Sequence, residues 1–307
     1  MLNYLWHQWE WPPVEWLAGA QDIVHAAHPL LIPASKAAQV VTVHDLFFLT
    51  EPDRTRAEVR RDYAALAPGH ARRAHAVVTS THHTAGLVIR SFGVPSDRVH
   101  VCAPGPPAWR TLGRRPNLPA NGYVLFVGTL EPRKNIGVLL DAYERLLGRG
   151  RAVAPLVLAG RTTPDSTIWT ERIAAEPLAG HVRHLGYVPE AERERLYAGA
   201  KLLVLASRDE GFGLPVLEAM SAGVPVVASD RGSLPEVLGD AGMLVEADDV
   251  DGLAAAIERM LDDEAFAREC ATRGLTRAQL FSWDRSAVAL KAAYQSAFAI
   301  RQRRHAR

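Results

Sequence analysis

Short runs of Val, Leu and Ala alternate with amphipathic segments through the second half of this chain, and that alternation restricts the fold more than any other feature. The runs lie at 123–128, 155–160, 182–185, 202–206, 225–229 and 242–245, bounded by Gly, Pro or charge. Apolar runs this short predict parallel strands buried on both faces. Segments of helical spacing fall between them at 135–147, 190–200, 215–222 and 250–262. Repeated strand–helix alternation predicts an α/β fold built on a doubly wound parallel sheet. The first half repeats the theme with fewer elements: strands at 22–26, 39–44, 76–80 and 98–102, and helices at 54–73 and 82–92.

The stretch 103–121 (APGPPAWRTLGRRPNLPAN) holds five Pro and two Gly without periodicity and reads as an interdomain linker. A chain of 307 residues suits two domains at roughly 100–200 residues each. The expected division is 1–110, 120–282 and a final helix in 283–307, which has no further strand to pair with and is expected to pack across the linker onto the first domain. Four strands against six leave the two domains unequal. Trp6, Trp9, Trp11 and Trp16, four of the seven tryptophans, crowd the first sixteen residues. They read as a helix with a heavy core face, the alternative being rings that packed on strands this chain lacks.

Charge excludes several partners. With 35 Lys+Arg against 34 Asp+Glu the net charge is +1, which gives no general pull towards nucleic acid or membrane. Arg54, Arg56, Arg60, Arg61, Arg72 and Arg73 would suit an anionic lipid surface, but Asp53, Glu58 and Asp62 are interleaved, which favours a solvated helix. Only four basic residues are Lys (Lys36, Lys134, Lys201, Lys291), so a Lys in a functional-looking loop stands out. Cys102 and Cys270 are far apart and lack metal-ligand spacing, which argues against a disulfide framework or a zinc site. No apolar stretch approaches the roughly 20 residues needed to span a bilayer. The N-terminus lacks a basic region followed by an apolar one, so a reducing cytoplasm is expected.

Three stretches carry candidate chemistry. Ser207-Arg-Asp-Glu-Gly-Phe-Gly-Leu-Pro-Val-Leu-Glu218 follows the strand at 202–206, and ligands of open α/β folds bind beyond the carboxyl ends of strands. Pro215 suits a helix start, while Gly211 and Gly213 allow close backbone approach. The helix start offers free N–H groups to a phosphate or diphosphate. Carboxylates beside an anion would repel it, so Glu210 in the loop and Glu218 one turn into the helix read as holding sugar and ribose hydroxyls. The competing reading is an ordinary strand–loop–helix capped by acid. The second stretch, Val127-Gly-Thr-Leu-Glu-Pro-Arg-Lys-Asn-Ile136, sets Arg133 and Lys134 before a helix start. Cations oppose the dipole there, so a bound diphosphate explains them better than solvation does. The third, Thr42-Val-His-Asp-Leu46, ends a strand of the first domain. His44 there is either structural or a group facing an interdomain cleft, and Asp45 either orients its ring or caps the next turn. His25, closing the strand at 22–26, is a weaker candidate of the same kind.

Together VTVHDL, FVGTLEPRKN, HLGYVPEAE, EGFGLPVLEAMSAGVPVVAS, GSLPEV and FSWD resemble the retaining nucleotide-sugar glycosyltransferases of the GT-B architecture, in particular glycosyltransferase family four, over about residues 22–300. The resemblance implies two Rossmann-like domains facing a cleft, the first on the acceptor side and short at its N-terminus, the second binding the nucleotide sugar. It implies that Glu210 contacts the donor sugar, Glu218 grips the ribose, Arg133 and Lys134 clamp the diphosphate, and His44 reaches across to the transferred sugar. Gly186-Tyr187-Val188 would contact the nucleobase, with Arg161 near it. Gly128, Thr129, Gly211, Phe212, Gly213 and Leu214 would line the donor. No metal or other cofactor is implied. Thr129 stands where many relatives carry an Arg, and the glycine-rich loop that usually opens such chains has no counterpart before Trp6.

The activity expected from this likeness is transfer of a hexose, mannose from GDP-mannose rather than a UDP-sugar donor, to a glycan or lipid-linked acceptor in surface polysaccharide assembly. It would take place in the cytoplasm at the inner face of the membrane, with a peripheral membrane contact and no nucleic acid. The alternatives are a truncated or partner-dependent remnant that binds nucleotide sugar without transferring it, and an epimerase or phosphorylase on the same architecture. A phosphorylase needs a Lys for pyridoxal phosphate, and Lys is scarce.

Overall fold

The computed structural model describes residues 6–7, 9–50, 57–109, 116, 118–150 and 152–305. The chain divides into two compact units, 1–105 together with 282–307, and 106–281. Residues 106–109, placed in the linker by the sequence, thus belong to the second unit, where Trp109 rests its ring on Tyr197. The rest of the linker at 110–115 and 117, the start of the basic segment at Arg54 and Arg56, the side chains of Arg60 and Arg61, and the last two residues of the tail lie outside the described residues.

In the first unit β1 (Ile23–Ala26), β2 (Ala38–Val43), β3 (Ala76–Thr79) and β4 (Val99–Val101) form one parallel sheet in the order β1-β2-β3-β4. Side chains alternate across a strand, so each strand supplies two faces. Val41, Val43 and Val77 point into a core shared with Ala67, Ala71, Val88 and Phe92 of α1 (Ala57–Arg73) and α2 (His82–Phe92). Thr81 caps α2 by accepting from the Thr84 amide at 3.2 Å, and Gly93 ends it in the left-handed conformation. Val40, Ala38, Ala76 and Val78 point the other way, against Ala293 and Ala297.

One expectation for this unit is corrected. Trp9, Trp11 and Trp16 are 71%, 63% and 69% exposed, so they form no core face. The segment is too broken to present one, since Glu15–Ala18 is a single helical turn without a buried residue. Arg72 and Arg73 are exposed, as a solvated helix requires, and also tie the helix locally: Arg72 donates to the Phe92 carbonyl and Arg73 to Glu10. Asp45 caps the next turn, accepting from the Phe47 amide at 3.2 Å.

The second unit is a six-stranded parallel sheet made of β5 (Tyr123–Val127), β6 (Leu156–Ala159), β7 (Val182–His184), β8 (Ala200–Leu205), β9 (Val226–Ser229) and β10 (Met243–Val245), in the order β10-β9-β8-β5-β6-β7. Among the described residues seven α-helices belong to it: α3 (Ile136–Leu147), α4 (Thr167–Ala174), α5 (Glu190–Ala198), α6 (Leu214–Ser221), α7 (Leu234–Leu238), α8 (Val250–Asp262) and α9 (Glu264–Ala278). β6, β8 and β9 are buried almost throughout, as the continuous apolar runs require. The sequence shows no sign of α4, which buries no residue, or of five-residue α7. It hides α9 because that helix buries Ala267, Cys270, Ala271, Gly274 and Ala278, a periodic stripe of small residues.

The last helix, α10 (Trp283–His305), returns to the first sheet. Leu290, Ala293, Tyr294 and Ala297 make its packing stripe, and the two alanines allow close approach. Its Tyr294 hydroxyl lies 2.8 Å from His25 Nδ1, while His25 Nε2 lies 2.8 Å from Thr42 Oγ1. His25 therefore ties the helix to the sheet. The strand order of the second unit matters most for function. It reverses at β5, with β6 on one side and β8 on the other. At such a switch point the crossovers leave in opposite directions and open a crevice at the carboxyl edge.

Candidate active site

Two loops border that crevice. The first leaves β5 through Gly128, Thr129, Leu130 and Glu131 into a tight turn, Pro132–Lys134, and a left-handed Asn135 (φ 56°) that starts α3. Leu130 is fully buried and its amide donates to the Arg161 carbonyl at 2.8 Å. Asn135 donates its side-chain amide to the Ala247 carbonyl at 2.7 Å. These anchors fix the direction of Arg133 and Lys134. The second loop leaves β8 through Ala206 and Ser207 to Gly213, which is left-handed (φ 88°) at the start of α6. The loops are stitched together by the Arg208 amide on the Arg133 carbonyl at 2.9 Å.

Glu210 is the hub. Lys134 Nζ donates to its Oε1 at 2.5 Å, Arg133 to its Oε2 at 3.0 Å, and Ser207 Oγ to Oε1 at 2.7 Å. Arg133 also reaches the Asp209 carbonyl at 3.1 Å and Glu131 at 2.9 Å. Glu210 and Lys134 are 5% and 8% exposed, so this is a buried charge cluster. Burial works to raise the Glu210 pKa, but the charges of Lys134 and then Arg133, with hydrogen bonds from Lys134 and Ser207, hold it below the ordinary carboxylate value. The anion that the sequence demanded beside Arg133 and Lys134 is thus, in the chain itself, the Glu210 carboxylate. Gly232 closes the wall from behind. It is left-handed (φ 58°), and a Cβ there would sit 2.6 Å from the Glu210 amide nitrogen.

Glu218 is a second buried carboxylate, on α6. Its Oε2 accepts from Tyr197 at 2.7 Å and its Oε1 from Arg193 at 2.8 Å, both on α5. Burial raises its pKa, and the Tyr197 hydrogen bond and Arg193 charge only partly oppose this. Sequence reasoning missed Ser207, Arg193 and Tyr197. The one available signal was the i, i+4 spacing of Arg193 and Tyr197, which puts both on one face of α5.

The remaining candidates fall into separate groups. Gly128 and Thr129 lie at the mouth of the first loop, and the Lys134 stem passes beneath Gly128. Gly211, Phe212, Gly213 and Leu214 continue the second loop, with Phe212 buried edge-on against Phe281 and Leu214 half-exposed. The Arg161 guanidinium sits 4.6 Å over the Tyr187 ring, which precedes Val188. His44 stands in the first unit after β2, exposed, with Nε2 3.1 Å from the Ala27 carbonyl oxygen.

The ends of β5 and β6 meet so closely that a Cβ on Gly160 would lie 1.8 Å from the Gly128 carbonyl oxygen. Gly160→Ala is expected to destabilise the second unit by about 2–3 kcal/mol through overpacking, measured by urea denaturation.

A six-stranded parallel sheet with a buried Lys–Arg–Glu cluster at its switch point in one unit, and a four-stranded parallel sheet in the other, place the chain in the class of two-domain Rossmann-like proteins. Residues 115–277 match the family model described as glycosyl transferases group 1. The chain is 37% identical over 281 residues to the O-antigen chain mannosyltransferase B of Escherichia coli, covering 86% of this chain and 72% of that protein. It is 30% identical over 262 residues to the serotype-specific mannosyltransferase WbdA of Escherichia coli, covering 81% of this chain but 32% of that one. Among solved structures, sucrose-phosphate synthase from Thermosynechococcus elongatus superposes with a TM-score of 0.74 at 24% identity, over 91% of this chain and 74% of that one. HepE of Anabaena, in complex with UDP and glucose, gives 0.67 at 21% identity, over 83% and 70%. The chain belongs to the group 1 glycosyl transferases and is a glycosyltransferase of the two-domain Rossmann-like (GT-B) fold.

Proposed function

We propose that this chain is a retaining hexosyltransferase of glycosyltransferase family four. It takes mannose from GDP-mannose, in preference to a UDP-sugar, and passes it to a glycan or lipid-linked acceptor in surface polysaccharide assembly. The observation that carries the reading is the 2.5 Å contact between Lys134 and Glu210 at the switch point. It puts a buried cation and a buried carboxylate where a sugar diphosphate would present an anion and hydroxyls. The mannosyltransferase names of the two Escherichia coli relatives support the choice of sugar, and the O-antigen name supports the choice of product.

Cleavage of the bond between the anomeric carbon and the diphosphate oxygen leaves negative charge on the nucleoside diphosphate and positive character on the sugar ring. Lys134, Arg133 and the positive end of the α6 dipole take up the departing charge, as fixed charges do when they replace water. Glu210 holds the donor hydroxyls and keeps the Lys134 ammonium aimed. Glu218 accepts from the ribose diol, and the loop at Tyr187, Val188 and Arg161 takes the base. His44 contacts the transferred sugar. The acceptor hydroxyl attacks the face from which the diphosphate leaves, so configuration is kept. Arg133 and Lys134 supply the positive charge, so the reaction calls for no metal. The work is placed in the cytoplasm at a membrane surface carrying the acceptor; among the described residues no helix is long and apolar enough to cross a bilayer.

The test is direct. GDP at about a hundred times its Kd is expected to raise the melting temperature by about 5–10 °C, more than UDP at the same concentration. GDP-mannose is expected to label a lipid-linked acceptor extract. If neither nucleotide shifts melting, the donor site is not formed. If GDP binds but no extract is labelled, the chain is a non-catalytic binder.

A further inference from the structure

The two oxygens of Glu218 are each already engaged by α5, which crosses beside α6. Tyr197 Oη donates to Oε2 at 2.7 Å and Arg193 donates to Oε1 at 2.8 Å. Each carboxylate oxygen carries two acceptor directions. One on each oxygen is therefore taken by α5, and one on each remains, a pair suited to a vicinal diol. Tyr197 is itself fully buried, held against the Trp109 ring at 5.1 Å. Arg193 keeps its guanidinium partly in solvent and also lies 3.9 Å from Glu190. The arrangement is asymmetric: a rigid neutral donor on one oxygen and a charged, adjustable donor on the other.

We infer that Arg193 and Tyr197 are positioning residues of the donor site, fixing Glu218 as an oriented carboxylate that reads the two ribose hydroxyls of the nucleotide. This rests on the donor-binding role proposed above for Glu218. Both hydroxyls of a vicinal diol can donate to the carboxyl group only while it is ionised; once protonated, one of its oxygens carries a hydrogen and donates, so the pair no longer fits. Glu218 is 5% exposed, and burial alone pushes its carboxyl towards the neutral form. Arg193 is the cation opposing that push, Tyr197 opposes it by hydrogen bond, and Glu190 adds to it. Those are the charged and titratable groups that face Glu218 among the described residues. Without Arg193 the push of burial towards the protonated form is opposed by Tyr197 alone, and the selectivity for ribose over deoxyribose fades as the proton is taken up.

The measurement is calorimetric titration of the full chain with whichever of GDP and UDP it binds more tightly, and with the 2′-deoxy form of that nucleotide. The native chain is expected to favour the ribonucleotide by about tenfold, the size of one hydrogen bond to a charged group. In Arg193→Gln the preference is expected to fall to within about twofold, through loss of ribonucleotide affinity, and to recover as the pH is raised. Tyr197→Phe is expected to move the same way by a smaller factor, and Arg193→Lys to keep most of the preference. A structural role would weaken both nucleotides equally and show no recovery with pH; that result, or a preference in Arg193→Gln equal to the native one, overturns the inference while leaving the donor site standing. If the native chain binds neither nucleotide, the donor reading fails first and the inference falls with it.

Discussion

Glu210→Ala is expected to lower mannosyl transfer by about a thousandfold while leaving GDP binding largely intact. The carboxylate does two things at once. Its oxygens accept from Lys134, Arg133 and Ser207, which fixes the two cations, and in the proposed complex they also hold the donor sugar. Without it the ammonium is no longer aimed and the sugar is no longer held, so turnover suffers on both counts. Nucleotide affinity behaves differently, because the diphosphate can serve as counter-anion to the two cations that Glu210 leaves behind. Removing one partner of a buried pair costs about 3–5 kcal/mol, so the variant melts lower than the native chain. GDP is expected to raise its melting temperature by more than it raises the native one. Equal loss of binding and turnover would contradict this assignment.

Lys134→Ala is the complementary experiment and strikes stability harder. It leaves the buried Glu210 carboxylate with Arg133 and Ser207 alone, at a cost of about 3–5 kcal/mol at pH 7. The sign with pH is fixed by the native state. Glu210 is held below its ordinary value, so its contribution is complete above the unfolded carboxylate pKa, near 4.3, and is lost as pH falls through the lower folded value. The gap between native and variant is therefore expected to be widest near neutrality and to narrow below about pH 4. Urea denaturation at pH 7 and in acid measures it. A gap that does not change with pH would mean that the two groups are not coupled. The same variant is expected to bind GDP about tenfold or more weakly, since the proposed charge-assisted contact to the diphosphate is gone.

Much of the candidate site could be read along the chain because its pieces are local. Arg133 and Lys134 follow β5, Glu210 follows β8, and Gly213 precedes a helix with Pro215 in its first turn. Those relations follow from turn chemistry and from the carboxyl-edge rule, which need no tertiary information. What stayed hidden has an equally plain cause. The partners of Glu218 sit on α5, whose sequence EAERERLYA carries almost no apolar stripe, so no local pattern sets Arg193 apart from the other charges of that helix. Helix α9 packs through small residues that barely register as hydrophobic. The exposed Trp9, Trp11 and Trp16 misled in the other direction, since aromatic content predicts burial only where a continuous element presents it.

The sequence by itself determined the alternation of strand and helix, the division into two units of similar build, and the kinds of group that gather beyond the strand ends. Periodicity and turn residues act over a few positions, and a single chain displays them completely. Only the tertiary structure decided that β8 lies beside β5 with β6 on the far side. That order brings Glu210 onto Lys134 across 76 residues of chain. Many strand orders satisfy the same local pattern, and the choice among them is made by long-range packing of both sheet faces, which no short stretch of sequence contains.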